Sequence, residues 1–171
     1  MFPLDSGQRA TPILSFQVRV ARPADAQAIG ALREQFWSDQ IAKGTIDHPA
    51  LSSLLADTAA MLGRPRTSIF VAVHQEEIAG YLLGQTRILP GVAGSIVSSI
   101  EEVFMLPAYR RSRAARSLVE ESLSAFRAAG AKRIQLRVLE RNDGAKKFWQ
   151  SLDFLPSVTI YEYAAEPLKD D

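Results

Sequence analysis

The sequence predicts an α+β fold in which a central mixed, mostly antiparallel sheet of about six or seven strands is flanked by about four helices. Three observations predict it. Runs with a hydrophobic period of two and runs with a period of 3.6 follow one another in the order β-α-α-β-β-β-α-β-α-β. Between residues 68 and 106, three β-branched runs succeed each other with only turn residues between them, the pattern of an antiparallel meander. And 171 residues that are 47% hydrophobic and 23% charged suffice for one core without a metal or disulfide staple.

Residues 1–15, with Pro3, Gly7 and Pro12, read as an N-terminal tail or arm. Phe16 to Val20 alternates apolar and polar, as a half-buried strand does. Pro23 opens a helix, where its missing N–H costs nothing, and Ala26, Ile29, Leu32 and Phe36 share one face of it. Gly44 and Asp47-His48-Pro49 interrupt the pattern; Leu51, Leu54, Leu55, Thr58, Met61 and Leu62 then mark a second amphipathic helix. The meander strands are predicted at 68–74, 78–88 and 95–106, with Pro90, Gly91 and Gly94 in the last loop. Helical period returns from 111 to 129, with Ala115, Leu118, Val119, Ser122 and Phe126 inward and Gly130 at the C-terminal left-handed position. Ile134, Leu136 and Val138 alternate in a strand, 142–152 forms a short helix, and 158–163 forms a last strand. One folded domain is expected over 16–165, with a C-terminal tail at 166–171.

Composition removes whole classes of chemistry. With no cysteine there is no thiol nucleophile, Cys-type zinc site or disulfide, and only two histidines, His48 and His74, are present. Twenty basic residues against nineteen acidic ones argue against a dedicated nucleic-acid binder. No apolar run approaches the roughly 20 residues of a membrane span, and the first residues do not read as a secretory signal, so a soluble, cytoplasmic protein is expected.

The informative stretch runs from Ile100 to Ala115, where a strand passes through Pro107 into a basic turn and then into an alanine-rich helix. Arg110, Arg111, Arg113 and Arg116 crowd the start of that helix. Four cations there oppose the helix dipole, which makes a purely structural role unfavourable. An anion held by backbone N–H groups and these guanidiniums accounts for them better.

At this point the chain resembles the GNAT superfamily of acyl-CoA-dependent N-acetyltransferases. In that family a strand ending in proline-tyrosine-arginine leads into Arg/Gln-x-x-Gly-x-Gly/Ala, which cradles the coenzyme A pyrophosphate. Here the pattern falls on Arg110, Arg111, Ser112, Arg113, Ala114 and Ala115. A second segment, Asn-x-x-Ala-x-x-Phe-Tyr-x-x-x-Gly-Phe, is matched by Asn142, Ala145, Phe148, Trp149, Asp153 and Phe154. Three departures stand out: Arg113 in place of a loop glycine, Trp149 in place of the tyrosine that would protonate the thiolate, and Asp153 in place of a glycine.

The resemblance implies acetyl-CoA as the cosubstrate and no metal. It also implies that an acetyl group passes by direct attack, within a ternary complex, to a primary amine of a small molecule or peptide. By the same resemblance, Phe104, Met105, Leu106, the 110–116 turn, Asn142, Phe148 and Trp149 would hold the cofactor, with the Met105 amide donating to the thioester oxygen. Glu101 or Glu102 would serve the amine as base. Alternation along a strand lets only one face the cleft, and Glu101 is the preferred one. Tyr109, Tyr161 and Tyr163 are the hydroxyls available in place of the lost acid. Phe36, Trp37, Asp47, His48, Tyr81 and residues 88–94 would line the acceptor pocket. Nucleic-acid and membrane partners are not expected, and analogy implies a homodimer. The alternative is that Arg113 and Trp149 mark a catalytically weak acyl-CoA-binding or protein-interaction module.

Overall fold

Alternating apolar residues form strands where a neighbouring strand completes the ladder, and apolar residues recurring every three or four positions form helices. The computed structural model describes residues 15–44, 48–89 and 95–161. Contacts divide the chain at Arg137 into two compact units.

In the first unit, five strands form one sheet in the order β1-β2-β3-β4-β5. These are β1 (Gln17–Val20), β2 (Thr67–His74), β3 (Glu77–Ile88), β4 (Ile96–Met105) and β5 (Arg133–Leu136). The first four pair antiparallel in sequence order, and β5 joins β4 in parallel. A parallel partner needs a crossover, and α3 (Ala114–Ala128) supplies it. Gly130, at φ 85°, lets the chain leave that helix.

The two faces of the sheet are covered differently. Helix α1 (Ala26–Ala42) packs Ile29 and Leu32 onto Ile69, Val71, Tyr81, Leu83 and Phe104, and these buried residues form one core cluster. Helix α2 (Leu54–Met61) lies against α1 and buries Leu54 and Thr58. Helix α3 covers the opposite face, where the Phe126 ring lies over Gly84. A methyl group at Gly84 would enter that ring, so this glycine is a matter of space.

The second unit contains α4 (Asp143–Gln150). Asn142 caps it by accepting a hydrogen bond from the Ala145 N–H at 3.2 Å. Rings of Phe148 and Trp149, and of Trp149 and Phe154, pack edge to face at 5.0 and 5.1 Å. Asp153, at φ 63°, takes the left-handed conformation that a glycine would adopt more easily.

Two expectations need correction. The described strands number five, fewer than the predicted six or seven, and residues 158–161 lie in no strand. A strand needs a ladder partner, and the described part of this unit, 138–161, offers none. Two of the residues predicted inward on the second helix, Leu51 and Leu55, are 37% and 48% exposed: Leu51 lies in the 3-10 turn ahead of α2, and Leu55 meets α1 only along its edge at Gly30.

Candidate functional site

The site is built on β4. Its ladder with β5 stops at Ile100, whereas its ladder with β3 continues to Met105. From residue 101 onward, no described strand pairs with the β5 side of β4. The Leu106 N–H donates to the Ala79 carbonyl at 2.9 Å, so Leu106 faces β3. Successive peptide groups of a strand point to opposite sides, which turns the N–H groups of Met105 and Val103 toward the open side. The Met105 carbonyl, on that same side, accepts from Arg110 Nε at 3.0 Å.

A β-bulge shapes the middle of β4. Leu83 pairs with Glu102 and Gly84 with Ile100, so Glu101 is the extra residue. Strict alternation would place Glu101 and Glu102 on opposite faces. The bulge instead puts both on the α1 face. Glu101 shares that face with Ser99, whose hydroxyl donates to it, and with Arg87, whose Nη2 lies 3.5 Å from Glu101 Oε1. Glu102 shares it with Tyr81 and α1. The expectation that only one glutamate can face that way therefore fails, because the bulge breaks the period.

The two carboxylates have unlike surroundings. Glu102 is 4% exposed and accepts four hydrogen bonds. Arg33 Nε and Nη2 grip it at 2.8 and 2.7 Å, Trp37 Nε1 donates at 3.1 Å, and the Tyr81 hydroxyl donates at 2.7 Å. Arg33 Nη1 also donates to the Thr58 hydroxyl, which donates in turn to the Leu54 carbonyl. Both glutamate oxygens thus carry two donors each, which uses the lone pairs of a carboxylate in full. Burial would lower the Arg33 pKa, but the bonds and charge of Glu102 outweigh it and raise the value. Burial first, then the Glu102 charge, pushes the Tyr81 hydroxyl well above its ordinary value, so it stays protonated. Tyr81, expected in an acceptor pocket, is fully buried because its hydroxyl belongs to this network. Glu101 is partly open to solvent, with its side chain 29% exposed.

After β4 the chain makes a short 3-10 turn at Pro107–Tyr109 and enters the basic stretch. Arg111 holds the left-handed conformation, φ 62°, so the strained residue of the turn is Arg111 rather than Arg113. Arg113, at φ −75°, is the residue before α3 and has no backbone need for glycine. The Ser112 hydroxyl donates to the Tyr109 carbonyl at 2.6 Å and accepts from the Ala114 N–H at 3.3 Å, which closes the turn. The Ser117 N–H donates to the Arg113 carbonyl at 2.9 Å as the helix gets under way, leaving the start of α3 as its donor end. Arg110, Arg111, Arg113 and Arg116 are exposed, Ala114 is buried, and Ser112 and Ala115 are half-buried. Arg110 folds back: it lies 5.4 Å over the Phe104 ring and 3.3 Å from Asp39 as well as bonding Met105. Arg116 faces Glu120 at 3.8 Å. A cleft of about 390 Å³ opens here, lined by Gln35, Ser38, Asp39, Phe104, Pro107 and Arg110 among others.

The remaining predicted residues fall elsewhere. Asn142, Phe148 and Trp149 belong to the second unit, at the cap and along the helix α4. Phe36 stacks edge-on between Trp37 and Phe104. His48 is exposed and lies 3.1 Å from the Pro49 carbonyl. Tyr109 donates to Glu77 at 2.6 Å, Tyr161 is 92% exposed, and Asp47, residues 90–94 and Tyr163 lie outside the described residues. Sequence reasoning missed Arg33. Its signal was a charged residue four positions after Ile29, on the stripe that α1 buries. Among the described residues no three His, Asp or Glu side chains converge as metal ligands, and no helix is long and apolar enough to cross a membrane.

A sheet that opens beside a bulged fourth strand, followed by a basic turn into a helix, defines an α+β protein in which strand N–H groups that no described strand pairs precede the donor end of a helix. The chain belongs to the acetyltransferase (GNAT) family, whose sequence profile matches residues 29–154. A search of curated protein sequences finds no match. Among solved structures, the chain is similar to the aminoglycoside acetyltransferase AAC(6′)-Iy bound to CoA-S-monomethyl-acetylneamine, at 20% identity and a TM-score of 0.73, over 89% of this chain and 99% of that one. It is similar to a mutant of the BH1408 protein of Bacillus halodurans at 21% identity and a TM-score of 0.77, over 88% and 99% of the two chains. A possible acetyltransferase of Clostridium difficile 630 is 17% identical, with a TM-score of 0.73 over 88% and 98%. At these identities the likeness is one of fold.

Proposed function

We propose that this protein transfers an acetyl group from acetyl-CoA to a primary amine of a small molecule or peptide. The observation that carries the reading is the edge of β4 that no described strand pairs, where the Met105 and Val103 N–H groups face away from β3 just ahead of the basic turn. Pantetheine is a chain of amides and would extend the sheet along that edge, as a strand does. The pyrophosphate would then meet the start of α3 with Arg111 and Arg113. The pattern of Asn142, Phe148 and Trp149 in the second unit supports the same cosubstrate through family membership alone.

In the reaction, an ammonium acceptor first gives one proton to a base, and Glu101, the partly exposed carboxylate, takes that role. The free amine nitrogen attacks the thioester carbonyl carbon, forming the C–N bond and placing negative charge on the oxygen. A strand N–H, that of Met105, donates to this oxyanion. Collapse breaks the C–S bond and expels the CoA thiolate, which takes up the proton shed by the amide nitrogen through water. The balance is acetyl-CoA plus ammonium giving acetamide, CoA thiol and one proton. Glu102, with four donors already on it, serves as a positioning residue that fixes the bulge and hence its neighbour. Thiol release from acetyl-CoA across polyamines, aminoglycosides, amino acids and peptide N-termini tests the reading. Turnover of one class is expected, and release with none of them overturns transfer.

A further inference from the structure

Charge matching at the bulge narrows the acceptor class, and this inference rests on the acetyltransferase reading above. Each of the two adjacent carboxylates has its own guanidinium: Glu102 holds Arg33 at 2.7 Å, and Glu101 faces Arg87 at 3.5 Å. Of the two acids lining the nearby cleft, Asp39 faces Arg110 at 3.3 Å and Glu34 is exposed. A polycationic acceptor needs several carboxylates with no cation of their own; the bulge supplies none, and the cleft supplies Glu34 alone among the described residues. The two pairs are also unlike. The Arg33–Glu102 pair is buried, bidentate and further tied to Thr58, Tyr81 and Trp37, so it cannot open without unpairing a buried charge. The Arg87–Glu101 pair is a single long contact, with the Arg87 side chain 65% exposed. Such a pair in water is worth little and exchanges partners readily. A molecule carrying both an ammonium and an anionic group can replace each half with the other half's complement.

We propose that the acceptor is an amine bearing an anionic substituent, a carboxylate or a phosphate, with Glu101 meeting its ammonium and Arg87 its anion. Arg87 is then a specificity-determining residue. The guanidinium that now partners Glu101 is the group that selects the acceptor, and acceptor binding releases Glu101 to act as base.

The test uses matched pairs that differ only in the anion: L-leucine and L-lysine beside their α-amides, glucosamine 6-phosphate beside glucosamine, and spermidine and neamine as polycations. Binding to the CoA-loaded protein is measured by calorimetry, and thiol release from acetyl-CoA is measured separately. An anionic member of a pair is expected to exceed its neutral counterpart by about tenfold, the size of a lost charge-assisted hydrogen bond. The carboxylate and phosphate arms identify which anion is read. Arg87→Gln is expected to bring that ratio close to one and Arg87→Glu to invert it, while both variants keep the wild-type melting temperature because the side chain is exposed. Equal use of the paired compounds, a preference for spermidine or neamine, or a ratio indifferent to Arg87 overturns the proposal. Anion-dependent binding without thiol release upholds Arg87 as the reader of an anionic amine ligand and overturns the transferase reading. Thiol release with polycations alone does the reverse.

Discussion

The protein uses guanidinium groups in two opposite ways, beneath α1 and at the entry to α3. Arg33 is 3% exposed, and its bonds go to Glu102 and Thr58. Arg111 and Arg113 are exposed on a turn that a single serine hydroxyl closes. A charge taken into a core must be saturated by partners, and it saturates them in turn; a charge kept at the surface stays available for a ligand. The same contrast separates two glutamates that are neighbours in sequence. Glu102 is saturated by buried donors, and Glu101 keeps a partly exposed carboxylate.

The largest test of that contrast is Glu102→Ala, which leaves Arg33 buried without its anion. A loss of about 3–5 kcal/mol in urea unfolding is expected, against near-neutral stability for Glu101→Ala. Comparable costs for the two would erase the distinction. At the other region, Arg111→Gly with Arg113→Ala removes two exposed cations and relieves the left-handed strain at 111. Folding stability should hold or rise, while the Kd for CoA climbs about tenfold or more. Its dependence on salt should flatten in the same titrations. Gly84→Ala forces a methyl group into the Phe126 ring and within 3.0 Å of the Ser99 carbonyl beside the bulge. Thermal or urea unfolding should show a loss of about 1–3 kcal/mol. The smallest effect concerns Asp25, whose hydrogen bonds from Arg19 hold its carboxyl below the usual range against the opposing effect of burial. A depressed folded value means the pair stabilises above the unfolded pKa and that this contribution fades as pH falls through the folded one. The wild-type advantage over Asp25→Asn, about 1 kcal/mol or less at neutral pH, should therefore vanish in acid, as denaturation midpoints across pH would show.

Most of the fold was legible because its signals are local and periodic. The predicted meander runs lie within a residue of β2, β3 and β4, and the inward stripe of α3 held for Leu118, Val119, Ser122 and Phe126. Ala114, not Ala115, is the buried alanine of its first turn. The basic turn was legible too, since four arginines at a helix start need a reason. The bulge was not. It is one extra residue in a ladder, and no period along β4 reveals which residue of β3 it faces. Arg33 was missed for a related reason: its partner is 69 residues away, so only the register that brings Glu102 beneath α1 explains a cation on a buried stripe. The strand predicted near residue 158 failed because alternation alone does not supply a ladder partner.

Backbone amide shifts on addition of acetyl-CoA test the central claim most directly. If the thioester and pantetheine lie along the open side of β4, the Val103 and Met105 amides move strongly. The Leu106 amide, held by the Ala79 carbonyl at 2.9 Å, should move little. Shifts that leave Val103 and Met105 unmoved while acetyl-CoA binds elsewhere, or no shifts at high micromolar cofactor, would contradict the account.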